Sequence, residues 1–175
     1  MGGVKYAHTN LNARDWKKLS EFYKYVFECK SLGKLRDNKG EWFEVLTGLP
    51  GARAVGEHIG LPGFPDGEGP TIEIFSYDIP EDVGPLPING YGFCHLCFDV
   101  DNPDEVYERL IEAGGTIAGE KIVRYYPERD GSNIIYYCRD PEGNGVEIRK
   151  FYPGVDLTKE PGITGRLFYG DTTLR

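Results

Sequence analysis

Thr71-Ile72-Glu73-Ile74 and Gly145-Val146-Glu147-Ile148 resemble each other closely, and each carries a glutamate between two aliphatic residues. Successive side chains of an extended strand point to opposite faces, so the aliphatics share one face and the glutamate takes the other. A carboxylate in such a strand is costly to bury without a partner. Upstream of each copy lies a histidine in a strand-like setting, Tyr6-Ala7-His8-Thr9-Asn10 and Phe93-Cys94-His95-Leu96-Cys97. By the same alternation His8 shares a face with Tyr6 and Asn10, and His95 with Phe93 and Cys97. The chain has three histidines, and two of them fall at matching places in the order His, Glu, His, Glu.

The elements between these landmarks also repeat. In the first copy a strand covers about Lys5 to Asn12, and a helix starts near Asp15, a suitable N-cap. Leu19, Phe22, Tyr23, Val26 and Phe27 give that helix an apolar stripe. Glu41 to Leu46 reads as a strand, residues 48–70 as an inserted Gly/Pro loop that includes His58, and Thr71 to Tyr77 as the closing strand. The Pro-rich stretch 79–90 reads as a linker. In the second copy Phe93 to Val100 is a strand, and Asp101 or Asn102 caps a helix with Pro103 at its first position. Its stripe is Val106, Leu110 and Ile111, and Gly114-Gly115 ends it. One or two strands follow in 116–125, then Ser132 to Arg139, a turn at Asp140-Pro141-Glu142-Gly143-Asn144, and a strand from Gly145 to Tyr152.

This order predicts an α+β fold of two βαβββ modules, 1–78 and 91–152, forming a pseudo-two-fold curved mixed sheet with a metal cleft. Residues 153–175 form a C-terminal extension whose Phe168-Tyr169 is expected to dock on the body or on a partner subunit.

Composition narrows the function classes. A chain of 175 residues with 39% hydrophobic and 13% aromatic residues can bury a core. Its net charge of −8 disfavours nucleic acid and anionic membrane surfaces as partners. No apolar run approaches the roughly 20 residues of a membrane helix, and no apolar signal-peptide core stands near the start, so a cytoplasmic location is expected. Cys94 and Cys97 form a Cys-x-x-Cys, but residues three apart in a strand face opposite ways and no second such pair exists. Cys29, Cys94, Cys97 and Cys138 are therefore expected to be ordinary buried thiols.

Two imidazoles and two carboxylates suit a divalent first-row ion. Two glutamates balance its charge, and an octahedral ion held by His8, Glu73, His95 and Glu147 keeps two positions for adjacent substrate oxygens. Any one of these residues alone reads as a core residue or as part of a solvated sheet face. The duplicated register argues for a site.

The His, Glu, His, Glu order on paired βαβββ units resembles the vicinal oxygen chelate superfamily of glyoxalase I, methylmalonyl-CoA epimerase, extradiol dioxygenases, fosfomycin-resistance enzymes and bleomycin-binding proteins. Asp140-Pro141-Glu142-Gly143-Asn144-x-x-Glu147 is similar to that family's Asp-Pro-Asp-Gly-Asn-x-x-Glu ending. Phe93-Cys94-His95-Leu96-Cys97-Phe98-Asp99-Val100 is similar to the strand that opens the second unit of glyoxalase and epimerase members. Glu21-Phe22-Tyr23 matches the family's Phe-Tyr pair, but Phe27-Glu28 replaces the usual Leu-Gly.

The resemblance implies a glyoxalase I-type metal-dependent lyase or isomerase. A divalent ion (Ni, Zn, Mn or Fe) would polarise a small vicinal-oxygen substrate. Glu147, or its counterpart Glu73, would remove a proton next to a carbonyl to give a metal-stabilised enediolate. An acyl-CoA epimerase is an alternative, although such members typically carry Gln where Glu73 stands. An extradiol-type iron dioxygenase and a metal-free antibiotic-binding protein also remain open. Arg14, Tyr77, Arg124 and Arg149 lie near the ligands in sequence and are candidate substrate contacts. In glyoxalase I relatives the halves of a site can come from different subunits, which implies a homodimer.

Overall fold

The computed structural model describes residues 3–65 and 67–170. They form two compact units divided between Gly84 and Pro85. Each unit carries its own sheet of mixed parallel and antiparallel strands with few helices, a mixed α+β architecture.

The first unit runs β1 (His8–Asn12), α1 (Trp16–Phe27), β2 (Lys30–Lys39), α2 (Glu41–Thr47), β3 (Arg53–Gly60) and β4 (Thr71–Tyr77). Its sheet order is β1-β4-β3-β2, with β1 parallel to β4 and the other neighbours antiparallel. The Asp15 carboxylate accepts from the backbone N–H groups of Lys17 and Lys18 at 3.1 and 3.2 Å, fixing the start of α1. The apolar stripe then buries Leu19, Phe22, Tyr23, Val26 and Phe27 against a sheet face that carries Ile59, Ile72 and Ile74. The same face holds a buried carboxylate, Glu57, which accepts from Ser20 Oγ at 2.5 Å, Lys24 Nζ at 2.8 Å and Ser31 Oγ at 2.6 Å. Burial alone would raise the Glu57 pKa. The lysine and the two hydroxyls outweigh it and hold the pKa below the usual carboxylate value.

Two expectations for this unit are corrected. Glu41 to Leu46 is the helix α2, bracketed by Gly40 at φ 86° and by Gly48 at φ 70°, with Glu41 and Glu44 in the first turn, where the helix dipole favours acids. Phe43 alone is buried from it, so the apolar run carries no strand alternation. Residues 48–70 are not one loop either, because β3 occupies Arg53–Gly60 and His58 is a strand residue. Gly56 made the segment look loop-like. A Cβ there would lie 1.8 Å from the Ile74 carbonyl oxygen and 2.4 Å from the Phe75 ring, so the glycine lets Phe75 cross the strand. Phe75, Tyr77, Ala52, Ala54 and Phe43 make a second small core on the face opposite α1.

The second unit runs β5 (His95–Asp99), α3 (Pro103–Glu112), β6 (Thr116–Ile117), β7 (Ile122–Tyr126), β8 (Gly131–Arg139), β9 (Gly145–Pro153) and β10 (Arg166–Tyr169). Its main order is β10-β7-β8-β9-β5, with β6 paired to β8. The four strands β5-β9-β8-β7 repeat the order of β1-β4-β3-β2. Asn102 Oδ1 caps α3 by accepting from the Glu105 N–H at 3.3 Å, with Pro103 at the first position. Val106 and Leu110 are buried on the side of Val146 and Ile148. The Asp140 carboxylate accepts from the N–H groups of Glu142 and Asn144 and from Asn144 Nδ2, each at 2.9 Å, and so ties the β8–β9 turn.

The C-terminal extension docks on its own unit. β10 pairs in parallel with β7, and Lys121 Nζ joins Asp104 on α3 (2.6 and 2.8 Å) to Thr164 Oγ1 (3.1 Å). Residues 171–175 of that extension lie outside the described residues. Among the described residues no helix is long and apolar enough to cross a membrane.

Candidate functional site

Strand register builds each half of the site. In the first unit Asn10 on β1 and His58 on β3 are both cross-strand partners of Glu73 on β4, and His8 partners Thr71 two residues away. All four side chains therefore stand on the face opposite α1. His8 Nε2 lies 3.6 Å from Glu73 Oε2, and His58 Nε2 lies 2.8 Å from Glu73 Oε1. Asn10 Nδ2 donates to Glu73 Oε2 at 3.2 Å. The rings of His8 and His58 meet edge to face at 5.5 Å. The small core of Phe43, Phe75 and Tyr77 occupies the other end of the same face.

The second unit repeats the geometry with different neighbours. Glu147 on β9 has Cys97 on β5 and Tyr137 on β8 as partners, and His95 partners Gly145. His95 Nε2 lies 2.9 Å from Glu147 Oε2, and the Tyr137 ring tilts against the His95 ring at 5.1 Å. Gly145 allows this approach: a Cβ there would sit 2.1 Å from the Cys94 carbonyl oxygen. Burial first, and then the Glu147 charge, push the Cys97 thiol up to about 11, so it is protonated at neutral pH. Cys94 and Cys97 are exposed, which corrects the expectation of four buried thiols, whereas Cys29 and Cys138 are buried. All four cysteines are free.

The structure thus brings His8 to Glu73 in one unit and His95 to Glu147 in the other. Each pair offers an imidazole nitrogen and a carboxylate oxygen on one sheet face, donor chemistry that a divalent first-row ion accepts. The donors fit in pairs: among the described residues no group of three or more His, Cys, Asp or Glu side chains is arranged to hold an ion.

The four expected substrate contacts are placed as follows. Arg14 Nη2 donates to Asp82 at 2.8 Å. Arg149 shares the Glu147 face and donates from Nε and Nη2 to Asp99 at 2.8 and 3.2 Å. Tyr77 stacks on Phe43 at 5.9 Å as part of the small core. Arg124 lies 4.8 Å over the Tyr126 ring.

Sequence reading missed His58, Tyr137, Asn10 and Cys97 as neighbours of the glutamates. Asn10 and Cys97 each follow a site histidine by two residues, and that period already places them on the histidine faces, though not beside the glutamates. His58 and Tyr137 become visible only once antiparallel pairing is known.

A family model described as Glyoxalase/Bleomycin resistance protein/Dioxygenase superfamily matches residues 5–148. The chain belongs to that superfamily. It is 26% identical over 147 residues to a lactoylglutathione lyase of Salmonella typhimurium, covering 83% of this chain and 91% of that one. A glyoxalase family protein from Bacillus cereus shares its fold with a TM-score of 0.72 at 21% identity, over 86% of this chain and 96% of that one. A glyoxylase/bleomycin resistance protein/dioxygenase domain from Frankia sp. EAN1pec aligns with a TM-score of 0.54 at 21% identity, over 89% of this chain and 96% of that one.

Proposed function

We propose that this protein is a divalent-metal-dependent lyase or isomerase of the glyoxalase I type. The reading rests on one observation above all: the same histidine–glutamate pairing, in the same register, in both units. His8, Glu73, His95 and Glu147 would hold the ion, whether the two pairs come from one chain or from two copies in a homodimer. When bound, the ion acts as a Lewis acid toward adjacent substrate oxygens.

Glu147 is the base. Its carboxylate takes the proton from the carbon bearing the hydroxyl of a hemithioacetal and returns it to the neighbouring carbonyl carbon, while the hydroxyl proton passes to the former carbonyl oxygen. The product is a thioester of a 2-hydroxy acid, with no atom gained or lost. The 2.9 Å contact places the His95 Nε2 and Glu147 Oε2 side by side, where both can face one ion. A positioned carboxylate of this kind contributes about 10²–10⁴-fold to rate. The similarity to a lactoylglutathione lyase across most of both chains supports this substrate class.

The test combines elemental analysis of purified protein with a substrate screen of hemithioacetals, 2-methylacyl thioesters and catechols. Stoichiometric divalent metal and hemithioacetal isomerisation are expected. Ring cleavage of a catechol with oxygen uptake, or ligand binding without retained metal, overturns the reading. Sedimentation of the purified chain tests the homodimer.

A further inference from the structure

We infer that His58 is a positioning residue for Glu73, fixing that carboxylate so that a single oxygen is left for an ion. The inference rests on the ligand role proposed for Glu73. The β3–β4 register sets His58 directly beside Glu73, and its Nε2 lies 2.8 Å from Oε1. A carboxylate only accepts, so Nε2 carries the proton. The other ring nitrogen, Nδ1, stands 3.1 Å from the Thr71 hydroxyl, which can donate to it when the proton is on Nε2 and so favours that tautomer. Thr71 lies two residues before Glu73 on the same strand and the same face. The ring is largely shielded, with 21% of its side chain exposed, and packs edge-on against both His8 and Phe75.

The consequence is that Oε1 is engaged on the β3 side. Oε2 turns toward β1, where Asn10 Nδ2 lies at 3.2 Å and His8 Nε2 at 3.6 Å. Glu73 is therefore clamped between neighbours on both flanking strands. A group that donates to a ligating carboxylate fixes its rotamer and is worth about 10–100-fold in ion affinity. The second unit holds its glutamate differently: Tyr137 occupies the place of His58 and its ring leans on His95, while the Cys97 thiol hydrogen-bonds Glu147 from the other side.

Two measurements decide the point. In ion-free protein labelled with ¹⁵N-histidine, the His58 proton is expected on Nε2, and Glu73→Ala is expected to shift the His58 ring resonances while leaving those of His95 in place. A proton on Nδ1, or a His58 spectrum indifferent to Glu73→Ala, overturns the inference. In Co(II) titrations followed by visible absorption, His58→Phe is expected to weaken binding about 10–100-fold. His58→Gln, which keeps a donor, is expected to restore most of the affinity, with ion-free melting temperatures showing that both variants fold. Phe and Gln variants that both bind as tightly as the parent also overturn it. If the parent takes up no Co(II), the metal reading of the previous section fails, and the imidazole spectrum still decides the role of His58.

Discussion

Glu73 and Glu147 occupy the same place in two sheets of the same strand order, yet they are held differently. Glu73 lies between Asn10 and His58, and both have donors within hydrogen-bonding distance of it. Glu147 lies between Cys97 and Tyr137 and has its short contact with His95. The backbone register is the same in both units, while the flanking positions differ, so Asn10 and His58 hold one carboxylate and Cys97 and His95 the other.

The sharpest way to break this comparison is to neutralise each carboxylate in turn. Glu147→Gln is expected to lower kcat about 10²–10⁴-fold with folding intact. Glu73→Gln is expected to act mainly on ion affinity, so adding metal should recover much of its activity. Equal losses in kcat that added metal does not recover would show that the two modules are interchangeable.

The scaffolds beneath the two glutamates can be compared next. Asp140→Ala leaves three donors of the β8–β9 turn without their acceptor and should lower stability by about 2–3 kcal/mol, read by urea unfolding. In the first unit β3 and β4 are joined instead by a longer Gly/Pro-rich segment, residues 61–70.

A third contrast concerns acid. The folded-state pKa of Glu57 is held below its ordinary 4.5, so its contribution is fully present above that pH and is lost as pH falls below it. Denaturation curves between neutral pH and about pH 3 should show this loss, and Glu57→Gln should remove that part of the pH dependence. An unchanged profile in the variant would assign the acid sensitivity elsewhere, with Asp104 beside Lys121 in the second unit the next group to test.

The smallest effect separates the ends of the two main helices. α1 ends on Glu28 in the left-handed region at φ 58°, whereas α3 is followed by Gly114 at φ 91°. Glu28→Gly should stabilise the protein by up to about 1 kcal/mol, seen as a rise in melting temperature, because glycine takes that conformation without a side-chain clash.

Much of this was legible in the sequence because the informative elements are local and strongly patterned. Val146-Glu147-Ile148 and Ile72-Glu73-Ile74 have one reading as half-buried strands. Asp15 and Asn102 announce helix starts that the hydrogen bonds bear out. The middle of the first module was not legible, for three physical reasons. β2 is a sheet-edge strand of mostly polar residues, Lys-Ser-Leu-Gly-Lys-Leu-Arg-Asp-Asn-Lys, with a register shift between Ser31 and Leu35, so no alternation marks it. The Trp42-Phe43-Glu44-Val45-Leu46 run leaves Trp42, Val45 and Leu46 exposed and buries Phe43 alone, so its apolar content carried no period. β3 uses Ala54 and Gly56 where Phe75 needs room, and small residues in a Gly/Pro context read as loop. His58 was lost with that strand. The candidate ligands were recoverable from a repeat along the chain, whereas the residue that clamps one of them is specified only by pairing across the sheet.

The strand supplied by the C-terminal extension has a consequence far from the chemistry. Arg166–Tyr169 lies along the outer side of β7, whose edge would otherwise present bare amides and carbonyls to any passing chain. A version of the protein cut short ahead of Arg166 would carry a free template for strand addition and should associate with itself at concentrations where the longer chain stays dispersed. In the longer chain β10 forms the edge in place of β7, and at four residues it offers a shorter line of free amides and carbonyls to another chain.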